Sequence, residues 1–296
     1  MVASSSRVTG ILRDSIKIPA KNGKLIFQLM PLILCPFYLI VLLHDFTAGP
    51  LVAKVEDGYE RGELNQKDVR ALVGVELLFM AAFLIIFLFE MMVTIFYASD
   101  LAYNTAGSSM KVMDLMLRIK STWTKPLITW LYVSFLTIIY TVFVLITIRL
   151  ISLIVWKGLA AILAIILYLY VAQIWGLGLV ISAVERDCKG GTAVKRAREL
   201  LEGRKLEGFF IMLILFLLSV PIYILFYVTL TDDDDELGVI AQIAFGFVAT
   251  LLFCVVTFFS FVVFTLFYHE CKQSYGEKLD MEMKSGAGCS LVSQKC

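Results

Sequence analysis

Glu76 and Glu90 are the only acidic residues inside the long apolar runs of this chain, and both lie in the run from about Leu72 to Tyr97. Their spacing of 14 residues puts them on nearly the same face of one helix at about 3.6 residues per turn. A carboxylate within hydrocarbon is costly, faces protein or water, and is a functional candidate by default. Gln173, Gln242, Tyr140 and Tyr168 are polar groups of other apolar runs that could meet Glu90. The structural alternative is that Glu76 sits near one surface and Glu90 snorkels or hydrogen-bonds to a neighbouring helix.

Other groups offer weaker chemistry. The run Asp232, Asp233, Asp234, Asp235 and Glu236 could attract calcium, but it lacks the spaced ligands and central Gly of an EF-hand loop. A solvated turn is the simpler reading. Lys195, Arg196, Arg198, Arg204 and Lys205 form a basic stretch able to meet anionic lipid headgroups, diluted by Glu185, Asp187, Glu199 and Glu202. Cys271, three residues after Tyr268, is placed as a juxtamembrane palmitoylation site, with Cys289 and Cys296 beyond it; reduced thiols are the alternative. The two histidines, His44 and His269, fall at opposite ends of different runs and cannot share a metal or a triad. No HExxH, GxSxG, P-loop or Cys-rich zinc spacing occurs. No catalytic residue, metal or cofactor is therefore expected. Gly176-Leu177-Gly178 lacks a dinucleotide-site context and reads as a close helix approach.

The elements that must carry these residues are six apolar blocks: about 24–43, 72–97, 127–148, 158–183, 208–230 and 239–268. Each reaches the roughly 20 residues a helix needs to cross about 30 Å of hydrocarbon, and the last is long enough to protrude or tilt. Apolar residues make up 59% of the chain and charged residues 17%, against about 45–50% and about 25% in soluble domains. Backbone groups in lipid must pair internally, so each block reads as a helix, with bends expected at Pro36 and Pro221. The net charge of +1 argues against a nucleic-acid partner. Of the 26 Lys and Arg, all but Lys54, Arg61, Lys67, Arg70, Arg149 and Lys157 fall in the N-terminal segment, the second and fourth connections and the C-terminal tail. The positive-inside rule places those four segments in the cytosol. The first residues show no cleavable-signal pattern, so the first span is expected to direct insertion itself.

The expected fold is thus all-α: a polytopic membrane protein of about six transmembrane helices and three cytosolic amphipathic helices, with both termini cytosolic. Its organisation reads as an amphipathic segment 1–23, a six-span domain 24–268 and a cytosolic tail 269–296 expected to be disordered. The amphipathic stripes are Val8, Ile11, Leu12 and Ile16; Met113, Met116 and Leu117; and Ala193, Val194, Ala197, Leu200 and Leu201, each opposed by charge. An amphipathic helix followed by a hairpin of spans therefore recurs three times. In the third unit Thr192 is a candidate N-cap and Gly203 a stop signal.

The stretch 180–209 carries Glu185, Gly190 or Gly191, Ala193, Arg196, Ala197, Leu200, Gly203 and Arg204. This pattern resembles a family of uncharacterised plant six-span membrane proteins. It is similar, more distantly, to the membrane domain accompanying some bacterial glycerophosphodiester phosphodiesterases. The resemblance implies a six-span fold and no activity, since the phosphodiesterase is a separate soluble barrel. Ala197, where the pattern commonly has serine, and Cys188 in the turn depart from it.

Two functional readings follow. One is a non-catalytic scaffold or trafficking component that binds the bilayer, anionic headgroups or other membrane proteins. The alternative is a carrier or channel for a small solute or lipid, for which Glu90, Gln173, Gln242 and the proline-bent spans speak. The endoplasmic reticulum and the plasma membrane are both compatible locations.

Overall fold

The computed structural model describes residues 2–21, 23–63, 65–103, 112–151, 154–185, 187–231 and 239–284. The acidic run 232–236, Cys289 and Cys296 lie outside these residues. Among the described residues the helices are α1 (Val2–Lys21), α2 (Gly23–Glu60), α3 (Gln66–Tyr103), α4 (Val112–Thr122), α5 (Thr124–Leu150), α6 (Ile154–Val184), α7 (Gly191–Leu200), α8 (Lys205–Thr231) and α9 (Val239–Lys284). No strand occurs among them. Six of the helices, α2, α3, α5, α6, α8 and α9, are long and apolar enough to cross a membrane. The order of one peripheral helix followed by two long apolar ones repeats three times.

α2 and α9 run furthest past the boundaries that hydropathy predicts. The first apolar run ends near Leu43, yet α2 continues to Glu60 and its apolar stretch spans Leu34–Glu60. Disorder is expected from His269 onward, yet α9 continues to Lys284. Charge limits how deeply a segment sits in hydrocarbon; it does not break a helix. Backbone geometry ends α2, where Gly62 adopts φ +71° and Glu63 N–H reaches back to the Gly58 carbonyl at 2.9 Å. Pro31, Pro36 and Pro50 all lie inside α2, and Pro221 inside α8.

The chain divides into two compact units. The first is drawn from Met1–Ala20, Met92–Ser219 and Phe258–Cys296, the second from Lys21–Met91 and Val220–Thr257. In the second unit Phe37 of α2 is flanked by Phe83 of α3 and Phe253 of α9, each with ring centroids 5.4 Å away. Tyr38 meets Phe247 edge-on at 5.1 Å.

In the first unit α6 packs against α5 and α7. The two halves of α6 differ. Leu159, Ile162, Leu163 and Ile166 are exposed, whereas Leu169, Leu177, Val180 and Ile181 are buried. An apolar helix needs a solvent for each face, and exposed leucines and isoleucines in such number suit lipid, not water. Small residues bring the buried half close to its neighbours. A Cβ on Gly176 would stand 2.9 Å from the Phe264 ring of α9, and one on Gly178 would stand 3.4 Å from Val194 of α7.

The peripheral helices bury different faces. In α7, Ala193, Ala197, Leu200 and Leu201 are buried, as their stripe required. Thr192 is not the N-cap. That position falls to Gly190 at φ +56°, and the Thr192 hydroxyl instead donates to the Lys189 carbonyl at 2.8 Å. The α5 side chain of Thr129 fixes this turn by accepting the Gly190 N–H at 2.8 Å. In α1, Val8, Ile11 and Ser15 are buried while Ile16 is exposed. In α4 the protein-facing side is Leu115 and Ile119; the expected stripe members Met113 and Leu117 are exposed.

Candidate functional site

The polar chemistry of the first unit gathers where α6 meets α7, α7 meets α8, and α9 leaves its apolar stretch. Glu185 follows the last turn of α6, its N–H bonded to the Ile181 carbonyl at 2.8 Å. The hydroxyl of Tyr268, a fully buried side chain of α9, donates to Glu185 Oε1 at 2.8 Å. Lys272, one turn later, donates to that hydroxyl at 3.1 Å and stands 3.8 Å from Glu185. Lysine, phenol and carboxylate thus form a short chain between α9 and α6. Tyr275, a further turn along the same face, lies under the Arg196 guanidinium at 5.1 Å, and Arg196 also pairs with Glu199 at 3.2 Å.

The adjacent face of α9 meets the α7–α8 corner. Gly203, at φ +95°, turns the chain, so Arg204 points inward. Arg204 Nε is 2.7 Å from Glu207 Oε2, and its terminal nitrogen donates to Glu270 at 2.9 Å. Its guanidinium lies 5.9 Å from the centroid of the Phe267 ring. Arg7 of α1 stands 3.6 Å from the other Glu207 oxygen. The Arg204 and Glu207 side chains are only 11% and 8% exposed. Burial opposes the charge on Arg204, but the Glu270 hydrogen bond and the nearby anionic groups outweigh it and hold the guanidinium above its ordinary value. Gly203, Arg204, Lys205, Leu206 and Glu207 line an open cleft of about 380 Å³.

This arrangement separates the five basic candidates. Lys195, Arg198 and Lys205 are exposed, whereas Arg196 and Arg204 are engaged with acids of the protein. Cys271 is 1% exposed beside Arg204, so the palmitoylation expected there meets a covered thiol; continuation of α9 past Tyr268 turned it inward.

Replacing Tyr268 with phenylalanine removes the donor to Glu185 and is expected to cost about 1.5–3 kcal/mol, the range for a hydrogen bond to a charged group. The check is the thermal midpoint in detergent beside the Lys272→Met variant, whose more exposed pair should matter less.

The acids of the long runs take separate places. Glu76 pairs with His44 of α2, whose Nε2 lies 3.1 and 3.2 Å from the two carboxylate oxygens, and His44 meets the Phe79 ring edge-on. Glu90 is 0% exposed. Gln173 is buried on α6, donates to the Tyr170 carbonyl at 3.0 Å and lies over Gly208 of α8. Tyr140 donates to the Ala164 carbonyl at 2.5 Å, and its ring neighbours Tyr168, so both serve the α5–α6 contact. Gln242 is on α9, its side chain outside the described set.

Sequence reading singled out Glu185, Arg196 and Arg204 but not their partners Arg7, Glu207, Tyr268, Glu270, Lys272 and Tyr275. The available signal was the spacing of 268, 272 and 275, which puts three polar groups on one face just past an apolar run. Among the described residues, no group of three or more His, Cys, Asp or Glu could hold a metal ion.

Among the described residues, the fold and the site define an all-helical protein with six helices of membrane-crossing length and composition, in which Arg204 pairs with Glu207 and Lys272 with Glu185 at the α6–α9 end. The chain belongs to the family described as a domain of unknown function, DUF8558, which it matches over residues 6–287. No curated protein and no solved structure matches it.

Proposed function

We propose that this protein is a non-catalytic membrane component, a six-span scaffold with both termini in the cytosol that engages the bilayer or other membrane proteins through its cytosolic-side helices. The observation that carries this reading is the fate of its charges. At the α6–α9 end Arg204 pairs with Glu207 and with Glu270 of the α9 extension, Glu185 accepts from Tyr268, and Arg196 pairs with Glu199 and lies over Tyr275, making a fixed cap. The core above that cap is apolar and closely packed at Leu177, Val180, Ile181, Ile211 and Phe264, as suits a structural bundle. The endoplasmic reticulum and the plasma membrane are the proposed locations, with twenty of the 26 Lys and Arg facing the cytosol.

A carrier for a small solute or lipid is the second reading, and the burial of Glu90 in an apolar helix favours it. Sealed liposomes separate the two. The scaffold should give proton leak and lipid exchange equal to protein-free vesicles, and Glu90→Gln should change neither. Flux above that background, abolished by Glu90→Gln, would replace the scaffold with a carrier.

A further inference from the structure

We propose that α4 and the corner at Trp123 form a lipid-binding element that lies in the plane of the bilayer surface and reads anionic phospholipid headgroups through Lys120 and Lys125. The inference rests on the membrane reading above and adds which helix does the binding.

The three peripheral helices share a period but not a surface. Outside its buried stripe, α7 exposes Lys195 and Arg198, a face made for water. Next to its buried residues, α1 exposes Arg13, Asp14 and Lys17, with Ile16 as its apolar exception. α4 differs. Leu115 and Ile119 are buried, while Met113 and Leu117 are 69% and 61% exposed on roughly the opposite side of the helix. With Met116 between the two seams, an apolar arc interrupted by Lys120 covers more than half of the circumference, and by helical position Asp114, Arg118 and Ser121 fall in the remainder. A helix submerged at an interface has this section: protein on one flank, acyl chains on the other, water above.

The local backbone holds α4 at that level. Trp123 N–H bonds to the Ile119 carbonyl at 3.0 Å and Leu127 N–H to the Trp123 carbonyl at 3.2 Å, so helical bonding runs through the corner. Pro126 has no N–H for the Thr122 carbonyl, which loosens the ladder at this point. The corner is anchored on two sides. Arg118 lies over the Phe96 ring at 4.7 Å, and Thr129 receives the Gly190 N–H.

The identity of the occupant follows from continuity and charge. The exposed apolar surface resumes at Trp123 and continues on α5 through Ile128, Leu131 and Phe135, which face hydrocarbon if α5 spans the bilayer. Trp123, half-exposed at the boundary between α4 and α5, has the ring type enriched at membrane–water interfaces. Lys120 is exposed and Lys125 half-exposed on either side of it, long enough to lift their ammonium groups to phosphates while their stems stay in the apolar layer. A soluble protein partner would meet both that flank and its cationic edge, but would have no reason to match the surface that α5 continues.

Spin labels on the reconstituted full-length protein test this. Labels at Leu117→Cys, Lys195→Cys and Phe135→Cys are compared in phosphatidylcholine vesicles with and without phosphatidylglycerol, each read as the difference from protein lacking the added cysteine. Label 117 should be several-fold more accessible to oxygen than to a water-soluble nickel chelate, like label 135, with label 195 the reverse. Phosphatidylglycerol should move label 117 deeper, and Lys120→Gln/Lys125→Gln, which leaves Arg118 on Phe96, should abolish that shift. Chelate access at 117 with 135 still in hydrocarbon would overturn the inference and leave the bundle reading standing. Shielding of 117 from both reagents would assign the flank to a protein contact and also overturn it. An immersion depth indifferent to phosphatidylglycerol would overturn the headgroup assignment. Chelate access at 135 as well would bring down the membrane reading and the inference together.

Discussion

Replacing Arg204 with methionine is expected to cost about 3–5 kcal/mol and to lower the thermal midpoint in detergent more than any other single charge removal in the chain. The size follows from what remains behind. Among the described residues, Glu207, 8% exposed, would keep only Arg7, 3.6 Å away on a side chain that is itself 64% exposed. Glu270, 42% exposed, can turn to solvent and contributes less. A buried carboxylate stripped of its partner carries most of its desolvation cost uncompensated, which is why removal of one partner costs far more than the pair is worth. The double variant Arg204→Met/Glu207→Leu should therefore regain most of the loss. A double variant as unstable as Arg204→Met would mean that Arg204 acts through packing on Phe267 and not through its charge. Glu207→Gln, which keeps shape and removes charge, should fall between the wild type and Arg204→Met.

Gly208→Leu should be nearly as damaging, at about 3 kcal/mol or more. A Cβ at this position would overlap Gln173 Oε1 of α6 and stand 3.1 Å from Leu201 Cδ2 and 3.2 Å from Phe267 Cε1 of α9. Three segments converge on the missing side chain, and all three contacting residues are buried. Any larger group must displace them together. Gly208→Ala pits two effects against each other: helix propensity favours alanine by about 1 kcal/mol, while overpacking costs about 1–3 kcal/mol. The net effect should be a modest loss. Gly246→Ala in α9 supplies the control, because nothing lies within 4 Å of its Cβ. Only the propensity gain applies there, so its midpoint should not fall. If Gly208→Leu and Gly246→Ala gave equal midpoints, the three-way approach at Gly208 would be disproved.

Much of the architecture was legible before the fold. Six apolar blocks became six helices of membrane-crossing length, and three amphipathic stretches became α1, α4 and α7 in the expected order. The period of Ala193, Ala197 and Leu200 correctly named the buried stripe of α7. These are local properties. Helix period and hydrophobic length are written in consecutive residues, and a chain that must satisfy its own backbone groups has few ways to use them.

Helix ends and polar partners were not written there. Hydropathy stops at Leu43 on the first run and at Tyr268 on the last, but the hydrogen-bond ladder does not, so α2 and α9 overran the apolar blocks. Sequence alone placed Cys271 in an open tail and Arg204 among headgroup-binding cations. Packing of α9 against the α7–α8 corner buried the first and paired the second. The two seams of α4 show the same division. Periodicity named Met113 and Leu117 as apolar, but it could not say that Leu115 and Ile119 would be the pair turned toward protein. Which face of a helix meets protein, and which acid meets which base, depends on residues tens or hundreds of positions apart: Arg7 with Glu207, Glu185 with Tyr268, Gln173 with Gly208. A local pattern states what each helix must bury. The neighbour that buries it is chosen when the helices pack, because only then do distant side chains compete for the same space.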